Sequence, residues 1–288
     1  MAARYEDCSW TSADGLTLHY RDYPAPAGTT ALPVLCLHGL TRNARDFAAL
    51  AEHLSATRRV IVPEMRGRGL SDYAPNSDSY TPITYVADVE KLLAEQGITR
   101  FCVVGTSMGG LMTMLMAQGA PGRMAAVVMN DIGPEVDAAG LARISGYVGQ
   151  GRSYPTWIHA ARSLAEVHGA AFPDYDLDMW LDMAKRTMVV TQNGRISYDY
   201  DMAIAEPFAK PGNAAPPNLW LAFEALRGVP MLLVRGELSD LLSPGTVRQM
   251  ETRNPAMTVI TVPRVGHAPT LDEPEVVAAI DALFAGVE

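Results

Sequence analysis

The sequence predicts an α/β protein, with a mostly parallel sheet carrying helices on both faces and a helical insertion near its middle. Three observations carry this. Short continuous apolar runs, each ending at glycine or a turn, recur along both ends of the chain, as in strands buried on two faces. Helical patterns alternate with these runs, the arrangement of parallel strands joined by crossover helices. Residues 134–226 break the alternation: they hold no comparable run, but 11 of the chain's 21 Phe, Tyr and Trp residues and three of its four Trp. The 288 residues suffice for one large domain with an inserted subdomain. The expected core is 1–133 with 227–288, and the expected insertion is 134–226.

The elements follow in order. Residues 8–23 alternate around Ala13-Asp14-Gly15 and read as two strands joined by a turn. "LPVLCLHGL" (32–40) is a strand buried on both faces. "NARDFAALAEHLSA" (43–56) carries Phe47, Leu50 and Leu54 at helical spacing behind Asn43 as N-cap. "RRVIVPEMRGRG" (58–69) is a second buried strand. "TPITYVADVEKLLAEQG" (81–97) is a helix capped by Thr81, with Pro82 at its first position and Gly97 just past its end. A strand at 101–105 leads into a helix from about 108. "MAAVVMND" (124–131), "VPMLLVRGE" (229–237) and "MTVITVPRVGH" (257–267) are further strands, and helices are expected near 244–252 and 273–286. Within the insertion "LARISGYVG", "TWIHAARSLAEVHG", "LDMWLDMAKRTMVV" and "NLWLAFEAL" have helical patterns, and "KPGNAAPPN" (210–218) reads as a loop near its exit.

Composition narrows the function. The formal net charge of -9 argues against a nucleic-acid partner, which needs clustered Lys and Arg. Cys8, Cys36 and Cys102 are an odd number, and Cys36 and Cys102 sit in strand-like runs, so free buried thiols are expected rather than disulfides. The first ten residues hold no apolar signal core and no apolar run reaches membrane-spanning length. The expectation is a cytoplasmic protein with no membrane partner. No cofactor motif and no metal-ligand cluster is evident, so neither a cofactor nor a metal is expected.

One stretch asks for a chemical explanation. In "RFCVVGTSMGG" a buried strand gives way to a helix through Gly105-Thr106-Ser107-Met108-Gly109, which matches G-x-S-x-G. Glycines permit a turn tight enough to hold a serine hydroxyl above the sheet. A serine hydroxyl needs a base, and the base an orienting acid. His267, in "VGHAPTLDEP" beyond the last strand, is the expected base. For the acid two candidates end adjacent strands: Asp240 in "RGELSD" and Asp131 in "VMNDIGPE". Asp240 is favoured, while Asp131 reads as an anchor for the exit into the insertion. The oxyanion of the tetrahedral intermediate needs donors. The backbone N–H groups of Met108, after the serine, and of Leu40, in "LCLHGLTRN", are expected to supply them. His38 reads as a hydrogen-bonding support rather than a second base.

These residues carry a resemblance. "HGL" at 38–40, "MRGRGLSD" at 65–72, "GTSMGG" at 105–110, "RGELSD" at 235–240 and "GHAP" at 266–269 occur in the order and spacing of the α/β-hydrolase fold family, capped esterase-like branch. The chain resembles that family over nearly its whole length. The resemblance implies an eight-stranded sheet, a Ser107–Asp240–His267 triad, and a cap (lid) built from 134–226. Two departures stand out. The family's acid often lies at the position of Ser239, one residue before Asp240, and Glu64 replaces an aspartate common ahead of "RGRG". That segment reads as a structural turn.

A serine nucleophile implies acyl chemistry, since relatives acting on haloalkanes or epoxides place aspartate there. The first expectation is hydrolysis of a small, largely apolar carboxylic ester or lactone through an acyl-enzyme. A carbon–carbon bond hydrolase for a ring-cleavage product is the second reading, disfavoured by Ala268 where such relatives carry an aromatic. A receptor that keeps the triad but turns over slowly is the third. Trp157 and Trp180 are the candidate substrate-binding residues. Tyr198, Tyr200, Phe208, Trp220, Met179, Met183 and Met202 are further wall candidates, whereas Met112 and Met116 read as core.

Overall fold

In β3 (Val34–Leu37) all four residues are buried and alternate between faces. Val34 and Cys36 join one apolar cluster, Leu35 and Leu37 the other. The same split recurs in β5 (Phe101–Thr106), where Phe101 and Val103 oppose Cys102 and Val104. Two cores, one on each face, are what continuous rather than alternating apolar strands require. The computed structural model that shows this describes residues 5–209, without the side chains of 208 and 209, and 218–287. The loop expected at 210–218, apart from Asn218, and the Phe208 side chain lie outside the described part.

The main sheet has eight strands. They are β1 (Glu6–Thr11), β2 (Thr17–Tyr23), β3, β4 (Val60–Pro63), β5, β6 (Met124–Asn130), β10 (Met231–Gly236) and β11 (Met257–Val262). Their spatial order is β1-β2-β4-β3-β5-β6-β10-β11. Only β2 runs antiparallel to its neighbours. The helices α1 (Ala48–Leu54), α2 (Pro82–Glu95), α3 (Met108–Gly119), α9 (Pro244–Arg253) and α10 (Pro274–Ala285) alternate with these strands. Asn43 caps as expected, but the segment it opens begins as a 3-10 turn, Ala44–Phe47, before α1. The cap on α2 is Thr81, whose hydroxyl accepts from Thr84 N–H, and Gly97 follows its end with φ +66°. Cys36 and Cys102 are free and buried.

Between β6 and β10 the chain leaves the sheet. This excursion holds α4 (Ala138–Tyr147), α5 (Trp157–His168), α6 (Leu177–Thr187), α7 (Glu206–Ala209) and α8 (Trp220–Glu224). It also contains a small antiparallel sheet of β7 (Ser153–Tyr154), β8 (Met188–Val190) and β9 (Ile196–Tyr198), in the order β7-β9-β8. The helical reading of 177–190 therefore runs three residues too far. At Met188-Val189-Val190 the β-branched residues leave the helix, and a turn with Gly194 at φ +75° returns the chain as β9. No helix among the described residues is long and apolar enough to cross a membrane.

Parallel strands bring their carboxyl ends to one edge. The loops leaving β3, β5, β6, β10 and β11 at that edge carry Leu40, Ser107, Asp131, Ser239 and His267 respectively.

Candidate active site

Ser107 stands between β5 and α3 with φ +52° and ψ -115°. A non-glycine residue there costs roughly 1–3 kcal/mol and persists only where its surroundings enforce it. They do so through two glycines. A Cβ on Gly105 would lie 2.7 Å from the Gly109 carbonyl oxygen, and one on Gly109 would lie 2.0 Å from that of Leu37. The strand, the turn and the helix thus pack backbone on backbone, and the serine is left at the crest.

A hydrogen-bonded chain runs from that serine. Ser107 Oγ lies 2.9 Å from His267 Nε2, and His267 Nδ1 lies 2.8 Å from Asp131 Oδ2. Asp131 follows β6, is fully buried, and has φ +52°. Its Oδ1 accepts from Gly236 N–H at 3.0 Å, and its Oδ2 also accepts from Ser239 Oγ at 2.7 Å. Three donors thus converge on one buried carboxylate. A carboxylate that accepts from Nδ1–H leaves Nε2 as the acceptor facing the serine hydroxyl.

The acid expected at Asp240 is corrected by this geometry. Ser239 turns inward to Asp131, so Asp240 points the other way. Its two oxygens accept from Arg143 of α4, Nε at 2.5 Å and Nη2 at 2.8 Å. The Arg143 guanidinium holds the Asp240 carboxyl below the usual range, while Asp240 remains 36% exposed. Asp240 ties the excursion to the sheet and makes no hydrogen bond to His267.

The loop after β3, which carries Leu40, is braced from behind. A Cβ on Gly39 would lie 3.7 Å from the Ser107 Cβ, so this loop abuts the serine. Leu40 and Met108 line the same cavity as Ser107, and among the described residues their N–H groups have no protein acceptor. His38, fully buried, donates Nδ1–H to Gly39 O at 2.8 Å and accepts Met65 N–H on Nε2 at 3.0 Å. Gly39 O belongs to the peptide whose N–H is that of Leu40. Arg68 Nε donates to Leu40 O at 2.9 Å, and Glu64 accepts from Ala44 N–H and Leu70 N–H. The "RGRG" segment is a structural turn, as its sequence suggests, and its work is to hold this loop.

Burial pushes the His38 pKa down to about 4. The unfolded chain takes up that proton near 6.5 and the folded chain only near 4, so stability falls as pH drops between the two. Complete titration corresponds to roughly 3 kcal/mol. Denaturant unfolding at pH 7 and pH 4.5 should show wild type losing more stability on acidification than His38→Gln. Equal losses would mean His38 is not held neutral.

The serine opens into a cavity of about 500 Å³. Its wall is mainly apolar and includes Leu111, Val136, Leu141, Ile144, Phe172 and Met183. Trp157 and Trp180, expected to bind substrate, do not line it. Trp180 is buried in the excursion's own core, with ring centroids 6.1 Å from Phe172 and 5.1 Å from Tyr175. Trp157 packs against that cluster. Of the other wall candidates with described side chains, only Met183 faces the cavity. Met112 and Met116 are core. The residues that sequence reasoning missed, Leu141, Ile144 and Tyr147, form a three-residue-spaced stripe on α4, a signal present in "LARISGY".

Comparison with known proteins follows the same lines. A model described as "Alpha/beta hydrolase family" matches residues 34–280. The crystal structure of an alpha/beta hydrolase from Novosphingobium aromaticivorans DSM 12444 has a TM-score of 0.95 and 55% identity, covering 100% of both chains. The 3-hydroxybutyrate-oligomer hydrolase of Cupriavidus necator is 33% identical over 277 residues, 93% of this chain and 92% of its own. The 2-(acetamidomethylene)succinate hydrolase of Mesorhizobium japonicum is 24% identical over 243 residues, 84% of each chain.

Proposed function

This chain belongs to the alpha/beta hydrolase family and is a hydrolase, and from that premise we propose that it cleaves a small, largely apolar carboxylic ester or lactone through an acyl-enzyme on Ser107. The observation that carries the reading is the Ser107–His267–Asp131 hydrogen-bond chain at the floor of an apolar cavity. His267 takes the Ser107 proton as the oxygen attacks the carbonyl carbon. The N–H groups of Leu40 and Met108 hold the oxyanion. Collapse expels the alcohol, which receives the proton from His267. Water, deprotonated by the same imidazole, then releases the acid. Asp131 keeps the imidazole in the required tautomer and stabilises it when charged. The curated relative from Cupriavidus necator supports ester chemistry, since an oligomer of a hydroxy acid is joined by ester bonds.

Residues 134–226 serve in this reading as a cap that sets substrate choice. Leu141→Ala and Ile144→Ala should shift relative rates toward bulkier acyl groups. Trp180→Ala should instead cost about 3–5 kcal/mol of stability through the cavity it leaves, with relative rates of short and bulky esters unmoved. Selectivity that followed Trp180 and ignored α4 would reverse this assignment.

The test of the function is a stopped-flow reaction with a p-nitrophenyl ester. A burst of p-nitrophenol equal to the enzyme, with the acyl mass found on Ser107, is expected. Turnover with no burst and no adduct under trapping conditions would sink the acyl-enzyme. A burst with no later turnover would favour the receptor reading.

A further inference from the structure

The cavity wall beside the nucleophile carries charge that ester hydrolysis alone does not use. Arg42 and Arg186 line it, and among the described lining residues the only carboxylate is Asp46. Each of the two is ion-paired, Arg42 with Asp46 and Arg186 with Asp272, so what this wall offers a ligand is the donors those pairs leave over. Both arginines reach one cavity because α6 packs against the 3-10 turn at Ala44–Phe47, where Arg45 Nε donates to Arg186 O at 3.0 Å. The Arg42 stem lies against the oxyanion loop, its Cγ 3.2 Å from a Cβ built on Gly39, a position itself 3.7 Å from the Ser107 Cβ.

Neither guanidinium is used up by its own partner. Asp46 accepts from Arg42 Nε at 2.5 Å and Nη2 at 2.7 Å, and Nη1 has no acceptor among the described residues. Asp272 accepts from Arg186 Nη2 at 2.9 Å, and among the described residues Nε and Nη1 have no acceptor. A guanidinium offers five donors in a plane suited to carboxylate oxygens. Donors left open at the edge of an apolar cavity cost desolvation whenever an uncharged substrate covers them. A carboxylate covering them forms charge-assisted hydrogen bonds instead.

We propose that Arg42, with Arg186 on the wall of the same cavity, forms a carboxylate subsite, and that the substrate is an aliphatic ester bearing a free carboxylate a few bonds from the scissile carbonyl. This rests on the ester-hydrolase reading above and names its substrate class. The apolar wall takes the chain between the two functional groups, and the subsite fixes which carbonyl lies over Ser107.

The test uses Ser107→Ala protein, which separates binding from turnover, titrated calorimetrically with monomethyl glutarate and dimethyl glutarate. The two ligands share a chain and differ by one charge. The monoanion should bind about tenfold tighter or more, the value of one charge-assisted hydrogen bond. Arg42→Gln should erase the preference and Arg42→Lys should keep part of it. If Arg42→Gln fails to fold, Arg186→Gln reads the same quantity. Equal binding of the two ligands, undetectable binding included, or a preference that survives the glutamine substitutions, overturns the subsite. Wild-type turnover is scored separately. A charge preference in binding, with no hydrolysis of monomethyl glutarate or of p-nitrophenyl esters by wild type, would sink the ester reading and leave the subsite standing. Hydrolysis without the preference would sink the subsite alone.

Discussion

Alanine at position 107 is expected to lower ester turnover by about 10⁶, the scale seen when a triad nucleophile is removed. The side chain lost is one hydroxyl, whose recorded partner is His267 Nε2. The backbone strain at φ +52° stays, because alanine has the same Cβ as serine, and the glycines that enforce the turn are untouched. Folding stability should therefore move little while chemistry collapses. A fluorophosphonate probe should label wild type on Ser107 and leave Ser107→Ala unlabelled. A folded variant that keeps turnover within about tenfold of wild type would place the nucleophile elsewhere. The oxyanion donors of Leu40 and Met108 should leave a rate above that in water, since they act on any attacking oxygen.

What the sequence made legible is local. Thr81, Pro82 and Gly97 lie within one helix length, so capping chemistry alone places α2. The Gly105–Gly109 spacing sets a turn by steric contact with backbone a few residues away, and the position of His267 follows from a strand ending just before it. The orienting acid is different in kind. Asp131 and His267 are 136 residues apart, and their contact depends on β10 lying between β6 and β11. Both Asp131 and Asp240 follow strands at the same sheet edge, so pattern reading finds both. The choice between them turns on which side chain of the Ser239-Asp240 pair faces inward, and Arg143 on a distant helix decides that. The tryptophans failed for a related reason. Aromatic enrichment in 134–226 signals buried area, but not which side it is buried from. The excursion needs a core of its own, and Trp180 supplies it behind Phe172, which is the ring that reaches the cavity. The α4 stripe was readable, and its three-residue spacing is weaker evidence than a tryptophan only when burial is assumed to mean substrate.

The acid offers the sharpest contrast between two neighbouring substitutions. Asp131→Asn should lower ester turnover roughly 10⁴-fold with the fold intact, because an amide NH₂ facing Nδ1 favours the tautomer that cannot accept the serine proton. Asp240→Asn should leave the rate within about threefold of wild type and cost at most about 1 kcal/mol, since both partners of its pair with Arg143 are partly exposed and screened by solvent. The site also allows a repair. Ser239 Oγ lies 2.7 Å from the oxygen of Asp131 that meets His267, so a carboxylate on residue 239 would stand within reach of the same imidazole nitrogen. Ser239→Asp in the Asp131→Asn background should recover at least about tenfold of the lost rate, which is about 1.4 kcal/mol of barrier. In the Asp131-containing protein the same substitution should instead depress activity, because two carboxylates would then crowd one buried pocket. Steady-state rates of the four proteins, with circular dichroism to establish folding, decide the matter. Collapse in Asp240→Asn with full activity in Asp131→Asn would return the orienting role to Asp240 and overturn the geometry from which the whole site is argued.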